Sequence, residues 1–345
     1  MLKRRGPIIL FGLLICQSAV SQLDFSQQRA RDRAHHRAIS LILEEKYEEA
    51  GIMLNQCLGI DTSYTPALLQ RARISIELGA PDSALQDLDR ALREDPGLGE
   101  ACFYKGYILF GNDSTGQDAQ LFDAAIDLGY ENPYAYYFRG LTGIRDGFDG
   151  KALNDFNRAI QLDPEFAVAY HERAGVKRRR GDLQGAHHDY STAIEYKPDF
   201  PLAYSNMGSV KILLGDYEGA IEDYDRALEL DPAFVLALNN RGYALYFLGF
   251  REEALEDFNS AVNFDSNLPE PILNKSTVLA RQKEVGEALN LLDTSIESNP
   301  DNPLLYLNRG LIRELRGDLQ GACEDWTRAK ELGAENIDEY LEECN

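Results

Sequence analysis

The sequence is poor in the residues and motifs that most catalytic and nucleic-acid-binding sites require. Lys and Arg number 35 against 57 Asp and Glu, which gives a formal net charge of −22 and a pI near 4.6. Such an acidic surface repels a phosphate backbone, and we therefore expect no nucleic-acid partner. The sequence contains no nucleotide-binding loop, no zinc-type cluster of His and Cys, and no nucleophile motif. It thus predicts no catalytic residue, no metal and no cofactor.

Cysteine is also scarce, with 5 residues in 345, which is too few for a fold framed by disulfides. Cys323 and Cys344 lie on adjacent elements near the C-terminus, and whether they bridge depends on Cβ geometry that the sequence leaves open. His171, His187 and His188 fall in one short stretch, but no carboxylate or fourth ligand shares their spacing. Solvated helix faces are therefore preferred over a metal site for these histidines.

The sequence lacks the apolar run of roughly 20 residues that a membrane-spanning helix needs. Its uncharged N-terminal stretch, residues 6–20, is 15 residues long, follows three basic residues and ends in small residues. This pattern is typical of a secretory signal peptide. We predict that residues 1–21 are cleaved, that the protein is exported to the periplasm or secreted, and that no membrane span remains. An uncleaved anchor is the alternative.

What the sequence does contain is a strict internal period. Pro164, Pro198 and Pro232 are 34 residues apart, and Pro96 and Pro300 lie on the same grid. This register divides residues 31–336 into nine repeats without an insertion, namely 31–64, 65–98, 99–132, 133–166, 167–200, 201–234, 235–268, 269–302 and 303–336.

Two columns of the repeat confirm this register. One column is small throughout: Ala38, Ala72, Gly106, Gly140, Ala174, Gly208, Gly242, Ser276 and Gly310. Another holds a large apolar or aromatic residue: Leu54, Leu88, Phe122, Phe156, Tyr190, Tyr224, Phe258, Leu292 and Trp326. Because both columns are maintained in all nine repeats, each repeat is expected to fold in the same way.

The sixth repeat, residues 201–234, shows what that fold is. Residues 202–214 have helical periodicity, Gly215 suits a left-handed turn, and residues 218–230 form a second helix that ends before a proline. Gly208 and Ala220 are small where the two helices cross. One such hairpin cannot bury its apolar face alone, so its neighbours must stack on it.

The period and the columns resemble those of the tetratricopeptide repeat (TPR) family over residues 31–336. The resemblance implies an all-α fold, a right-handed α-α superhelix or TPR solenoid of nine 34-residue helical hairpins. Residues 22–30 then form a polar lead-in, and residues 337–345 form a short C-terminal capping helix. Length alone would suggest two or three domains, at roughly 150 residues each, but the repeats replace them with one array. A looser turn is expected at residues 111–116.

The repeats depart from the family pattern at one position of the first helix. Arg or Lys replaces the usual leucine in every repeat except the sixth, which has Met207. An Asp recurs in the second helix, and five repeats carry both the Arg and the Asp. The sequence therefore predicts a recurring ion pair between the helices of a hairpin, for example between Arg139 and Asp155.

Membership of the TPR family implies a concave surface, lined by the first helix of each hairpin, that binds peptides or protein segments. We therefore predict a monomeric, non-catalytic protein–protein interaction scaffold. An enzyme or enzyme subunit with a site in the groove is one alternative, although no segment outside the repeats is long enough for a catalytic domain. A self-assembling structural component is another, although the polar C-terminal helix disfavours open stacking.

The candidate groove residues form three sets. The amides Asn206, Asn240, Asn274 and Asn308 recur at 34-residue spacing and resemble the asparagine ladder of the TPR superhelix in O-linked N-acetylglucosamine transferase, which grips a peptide backbone. The aromatic set is Phe103, Tyr107, Phe110, Tyr134, Tyr137, Tyr243, Tyr246 and Phe247. The basic set is Arg145, His171, Arg178 and Arg179.

Each set has a binding and a packing interpretation. An amide offers a donor and an acceptor that match a peptide unit, but neighbouring helices could satisfy it equally well. Aromatic and Arg side chains are enriched at binding hot spots, which predicts aromatic anchors and a cationic station for an acidic side chain or a free carboxylate. The alternative is that half of the aromatics pack between repeats and that the basic residues are solvated. The carboxylate clamp of chaperone-binding TPR domains is absent.

Overall fold

The computed structural model describes residues 23–110, 116–266, 268–342 and 344. Within these ranges the chain forms 19 α-helices and no β-strand. The predicted signal peptide, residues 1–21, lies outside the described residues, as do residues 111–115 of the looser turn predicted at residues 111–116. None of the helices in the described ranges is long and apolar enough to cross a membrane.

The helices are divided between two compact units, Met1–Tyr130 and Glu131–Asn345. The N-terminal unit contains α1 (Phe25–Leu43), α2 (Tyr47–Ile60), α3 (Thr65–Glu77), α4 (Pro81–Glu94), α5 (Gly99–Phe110) and α6 (Gln117–Asp127). The C-terminal unit contains α7 (Pro133–Arg145), α8 (Asp149–Leu162), α9 (Ala167–Arg179), α10 (Leu183–Tyr196), α11 (Pro201–Leu214), α12 (Tyr217–Leu230), α13 (Val235–Leu248), α14 (Arg251–Phe264), α15 (Pro269–Arg281), α16 (Val285–Ser298), α17 (Pro303–Leu315), α18 (Leu319–Glu331) and α19 (Asp338–Glu342).

Each odd-numbered helix from α1 to α17 packs against the even-numbered helix that follows it, so that the described helices pair into hairpins 1 to 9. Hairpins 1 to 3 belong to the N-terminal unit, and hairpins 4 to 9 belong to the C-terminal unit. Within the C-terminal unit the second helix of each hairpin also packs against the first helix of the next. The predicted all-α fold of helical hairpins is confirmed.

Local sequence explains where the helices begin and end. The first helices of hairpins 4, 6 and 9 begin at Pro133, Pro201 and Pro303, where a missing N–H is tolerated. Gly215 ends α11 with a φ of 84°, a left-handed conformation that glycine adopts readily. In contrast to the predicted lead-in, α1 already begins at Phe25, because Asp24 and Gln27 form a reciprocal capping box.

The recurring ion pair between the helices of a hairpin is confirmed. In hairpin 5, Arg173 Nε and Nη2 donate to the two carboxylate oxygens of Asp189 at 2.8 and 2.7 Å. The same bidentate contact joins Arg71 to Asp87, Arg139 to Asp155, Arg241 to Asp257 and Arg309 to Asp325. All five carboxylates are buried.

The arginines also connect neighbouring hairpins, a contact that the sequence analysis did not predict. Arg173 Nη1 donates to Asn157 Oδ1, on the preceding hairpin, at 2.6 Å, and Arg309 Nη1 lies 2.6 Å from Asp293 Oδ1. One guanidinium thus joins three helices. This explains why Arg, with its planar set of donors, occupies the position more often than Lys.

The C-terminal end of the array is closed by α19. Ile337 is buried, the rings of Trp326 and Tyr340 lie 5.3 Å apart, and a disulfide joins Cys323 of α18 to Cys344. The structure therefore contains the disulfide that the sequence analysis left undecided. Its two cysteines are 21 residues apart.

Reduction of this disulfide is expected to loosen α19 from α18 and to lower the free energy of unfolding by about 2 kcal/mol, because the bridge restricts the unfolded chain. Urea titration with and without dithiothreitol measures the difference. A Cys323→Ser/Cys344→Ser variant is the control and should not respond to dithiothreitol. Free thiols at both positions in the unreduced protein would contradict the prediction.

Candidate functional site

The predicted amide row lies on the first helices of hairpins 6 to 9. Asn206, Asn240, Asn274 and Asn308 are the sixth residues of α11, α13, α15 and α17, and all four are half-buried. Because an α-helix turns by about 100° per residue, the second, sixth, ninth and thirteenth residues of each helix share one face. We call this surface of hairpins 4 to 9 the amide face.

Hydrogen bonds between hairpins hold two of these amides in place. Asn274 Nδ2 donates to Asn239 Oδ1 at 2.9 Å, and Asn206 Nδ2 lies 3.0 Å from His171 Nε2. Asn239 Nδ2 in turn donates to Asn240 Oδ1 at 3.2 Å. The carbonyl oxygens of Asn206 and Asn274 have no partner among the described residues. Neighbouring helices therefore satisfy these two amides only in part.

Exposed apolar side chains flank the amides on the same face. Tyr134, Leu202, Leu236 and Leu304 are the second residues of α7, α11, α13 and α17, and all are exposed. At the thirteenth position Leu213, Phe247 and Leu315 are exposed, and Leu315 has 71% of its surface open to solvent. In hairpins 6, 7 and 9 the amide thus lies between two exposed apolar side chains, whereas hairpin 8 has Glu270 and Arg281 at these two positions.

The predicted aromatic residues divide between open and packed positions. The C-terminal unit exposes Tyr134, Tyr243 and Phe247, and Tyr246 on this unit is half-buried. On the N-terminal unit Tyr107 is exposed and Phe110 is half-buried. The ring of Phe247 stacks on Tyr217 at 4.0 Å. Four of these aromatic side chains are therefore exposed, and Tyr246 and Phe110 are half-buried.

Phe103 and Tyr137 belong to the packing instead of an open surface. Phe103 is only 6% exposed and contacts the rings of Tyr104 and Phe122. Tyr137 packs against Phe156, and burial raises the pKa of its phenol to about 12. Both are the fifth residues of their helices, a position that faces the large side chain of the second helix.

The fifth position explains His171 as well. His171 is 6% exposed, contacts the ring of Tyr190, and lies 3.1 Å from Glu172 as well as 3.0 Å from Asn206. It therefore orients an amide from beneath the face and is not an open cationic residue. Within the described ranges, no group of three or more His, Cys, Asp and Glu side chains could hold a metal ion.

The basic residues differ sharply in their pairing. Arg179 Nη2 donates to Asp149 at 2.8 Å, and Arg145 Nε lies 3.3 Å from Asp146. Lys177, in the same run, pairs with Asp189 at 2.7 Å. Arg178 makes no ion pair with a described residue, and its Nε is buried without an acceptor.

Tyrosine hydroxyls, which the sequence analysis missed, lie beside Arg178. Burial raises the pKa of Tyr190 and of Tyr224 to about 12, and Arg178 lowers both values against that rise. Ser209 Oγ lies 3.2 Å from the Tyr224 hydroxyl. The signal was present in the sequence, because only these two members of the large column carry a hydroxyl.

Comparison with known families agrees with this architecture. A family model described as a TPR repeat matches residues 209–249, and one described as a tetratricopeptide repeat matches residues 69–133 and 273–336. The chain belongs to the tetratricopeptide repeat family. As a TPR protein it is, in the general sense of that family, a protein-interaction scaffold.

Solved TPR structures share the fold. A structure of pilF from Pseudomonas aeruginosa is similar with a TM-score of 0.55 at 17% identity, over 61% of this chain and 96% of that one. A tetratricopeptide repeat protein from Parabacteroides merdae is similar with a TM-score of 0.50 at 18% identity, over 81% of this chain and 97% of that one. None of the curated proteins matches this TPR protein.

Proposed function

We propose that this TPR protein binds an extended segment of another protein along the amide face of its C-terminal unit. The observation that carries the proposal is the pair of hydrogen bonds between hairpins that hold Asn206 and Asn274. Each bond fixes the orientation of an amide and leaves its carbonyl oxygen free to accept a backbone N–H. Amides preorganised in this way bind without a further loss of side-chain freedom.

The apolar rows on both sides of the amides supply the second part of the binding energy. A segment whose backbone follows the amide row directs its side chains to alternate sides. Leu202 and Leu236 would receive those on one side, and Leu213 and Phe247 those on the other. Exposed apolar side chains in a continuous patch are typical of interaction surfaces.

The proposed role is non-catalytic, and we further propose that the protein works outside the cytoplasm. The disulfide between Cys323 and Cys344 supports this location, because structural disulfides persist in oxidising compartments. The bound segment is proposed to carry a carboxylate where it crosses hairpin 5, in keeping with the basic residues there. The protein is proposed to act as a monomer, which light scattering over a range of concentrations would test.

The amide row is tested with a pool of acetylated and amidated nonapeptides that carry mixed uncharged residues. We expect the immobilised wild-type chain to retain the pool, and the Asn206→Ala/Asn240→Ala/Asn274→Ala variant to retain at least about tenfold less, because each lost backbone hydrogen bond costs about 1 kcal/mol. Retained peptide is quantified by mass spectrometry.

The matched control is Asn154→Ala/Asn259→Ala/Asn290→Ala. These three asparagines are exposed on the second helices α8, α14 and α16, away from the amide face. The control variant should retain as much peptide as the wild type. Equal retention by the two triple variants, or no retention by the wild type, would contradict the proposed function.

A further inference from the structure

Arg178 is half-buried on α9, beside the amide face, and it makes no ion pair with a described residue. The neighbouring cations Lys177 and Arg179 are held by Asp189 and Asp149, at 2.7 and 2.8 Å. The Nε of Arg178 is buried with no acceptor among the described residues. A partly buried charge without a partner is unfavourable. An anion on a ligand would therefore form the ion pair that Arg178 does not make with the described residues.

The acidic side chains around Arg178 are already engaged. Glu172, on the same helix, lies 3.1 Å from His171. On the second helices, Asp189 is bonded to Arg173 and Lys177, and Asp223 is paired with Lys211 at 2.8 Å. None of these carboxylates makes an ion pair with Arg178 in the described part of the chain.

Tyr190 lies close to Arg178. Its phenol is almost fully buried, and a Cβ added at Gly175 would lie 3.7 Å from the phenol oxygen, an ordinary van der Waals contact. Arg178 acts on this hydroxyl through both its charge and a hydrogen-bonding contact. The phenol is therefore a neighbour of a guanidinium that belongs to a half-buried side chain.

We propose that Arg178 binds a side-chain carboxylate, from Asp or Glu, of the segment held on the amide face, and that Tyr190 is its positioning residue. This proposal rests on the proposed function. The carboxylate is that of a side chain within the segment and not of its C-terminus. The reason is that the amide face continues beyond Arg178 over the next two hairpins, at Asn206 and Asn240. The guanidinium forms charge-assisted hydrogen bonds to the two carboxylate oxygens, which are stronger than bonds between neutral groups.

The test compares two nonapeptide pools, acetylated and amidated, that differ only in Glu or Gln at the central position. We expect the wild-type chain to retain the Glu pool about tenfold more than the Gln pool, as one charge-assisted hydrogen bond is worth at least 1.4 kcal/mol. Blocked termini leave the side chain as the only carboxylate. The net charge of −22 acts against the Glu pool, so a preference for it must come from a local site.

Three variants locate the preference for the Glu pool. Arg178→Gln should reduce the ratio of Glu to Gln peptides to one or below, while Arg180→Gln, which removes the same charge from an exposed residue at the end of α9, should leave it unchanged. Tyr190→Phe should lower the ratio without lowering retention of the Gln pool. That separation distinguishes positioning of the guanidinium from a general loss of structure.

The outcomes separate this proposal from the proposed function. Equal retention of both pools by the wild type leaves the amide face intact and overturns the carboxylate site. A wild-type preference that survives Arg178→Gln also overturns it. Retention of neither pool overturns the proposed function itself. If Arg178→Gln also loses the Gln pool because the variant fails to fold, the ratio in Tyr190→Phe decides.

Discussion

Replacement of Asp189 by Ala is expected to lower the free energy of unfolding by about 3–5 kcal/mol, the cost of breaking a buried ion pair on one side. Asp189 is fully buried and accepts from Arg173 at 2.7 and 2.8 Å, while Lys177 lies 2.7 Å from one of its oxygens. Without the carboxylate, two cations remain in the interior of hairpin 5 with no counter-charge. Urea titration followed by far-ultraviolet circular dichroism measures the loss.

Two further variants test the reason for that loss. Asp199→Ala removes the same charge from an exposed position and should change stability by less than about 0.5 kcal/mol. The triple replacement Arg173→Met/Lys177→Met/Asp189→Leu removes both cations together with the anion. It should lower the free energy of unfolding by less than Asp189→Ala alone, because no unpaired charge is left inside. A similar loss in Asp199→Ala and Asp189→Ala would be incompatible with a role of the buried ion pair.

Asp223, in the same column of the repeat, is expected to make the free energy of unfolding depend on pH. Met207 replaces the arginine in hairpin 6, and Lys211 pairs with Asp223 at 2.8 Å, off the hydrogen-bonding direction. Burial outweighs that contact and raises the pKa of Asp223 from 3.8 to about 6. The folded protein therefore holds a proton at Asp223 over a pH range in which the unfolded chain has lost it.

The sign of the effect follows from proton linkage. Between pH 3.8 and about pH 6 the folded state binds more protons at Asp223, so its contribution to stability is fully present below this window and is lost as pH rises through it. The loss amounts to about 3 kcal/mol for a shift of roughly two pKa units. The free energy of unfolding of the Asp223→Asn variant, relative to that of the wild type, should therefore rise by this amount between pH 4 and pH 7.

Urea titrations of wild type and variant at pH 4, 5, 6 and 7 measure the difference at each pH. Glu222→Gln removes one negative charge from the adjacent, exposed position and controls for the change in net charge. A stability difference between Asp223→Asn and wild type that stays constant from pH 4 to pH 7 would exclude the proposed titration.

Much of the fold could be predicted from the sequence because it depends on contacts between residues a fixed distance apart. The period of 34 makes repeats begin at Pro133, Pro201 and Pro303, and in the structure a helix begins at each of these prolines. Arg139 and Asp155 are 16 residues apart, a separation that one helical hairpin brings into contact. Local rules of capping, glycine turns and small-residue packing therefore suffice for a hairpin.

The candidate site could be predicted only in part, because exposure depends on what the neighbouring hairpins cover. The sequence identifies the amide row by its spacing, but it places Phe103 and His171 on an open surface that the structure assigns to the packing. Both side chains occupy the fifth position of their helices, where the large residue of the second helix covers them. Helical periodicity alone does not distinguish this position from the exposed ones nearby.

By itself the sequence determined the period, the hairpin and the Arg–Asp ion pairs within five of the hairpins, since these depend on residues less than one repeat apart. Only the tertiary structure decided which side chains stay available. Arg178 and Arg179 are adjacent and identical in the sequence, yet Asp149 from the preceding hairpin neutralises Arg179. The packing of successive hairpins thus pairs Arg179 but leaves Arg178 without an ion pair among the described residues, because charge pairing between repeats is a property of three-dimensional distance.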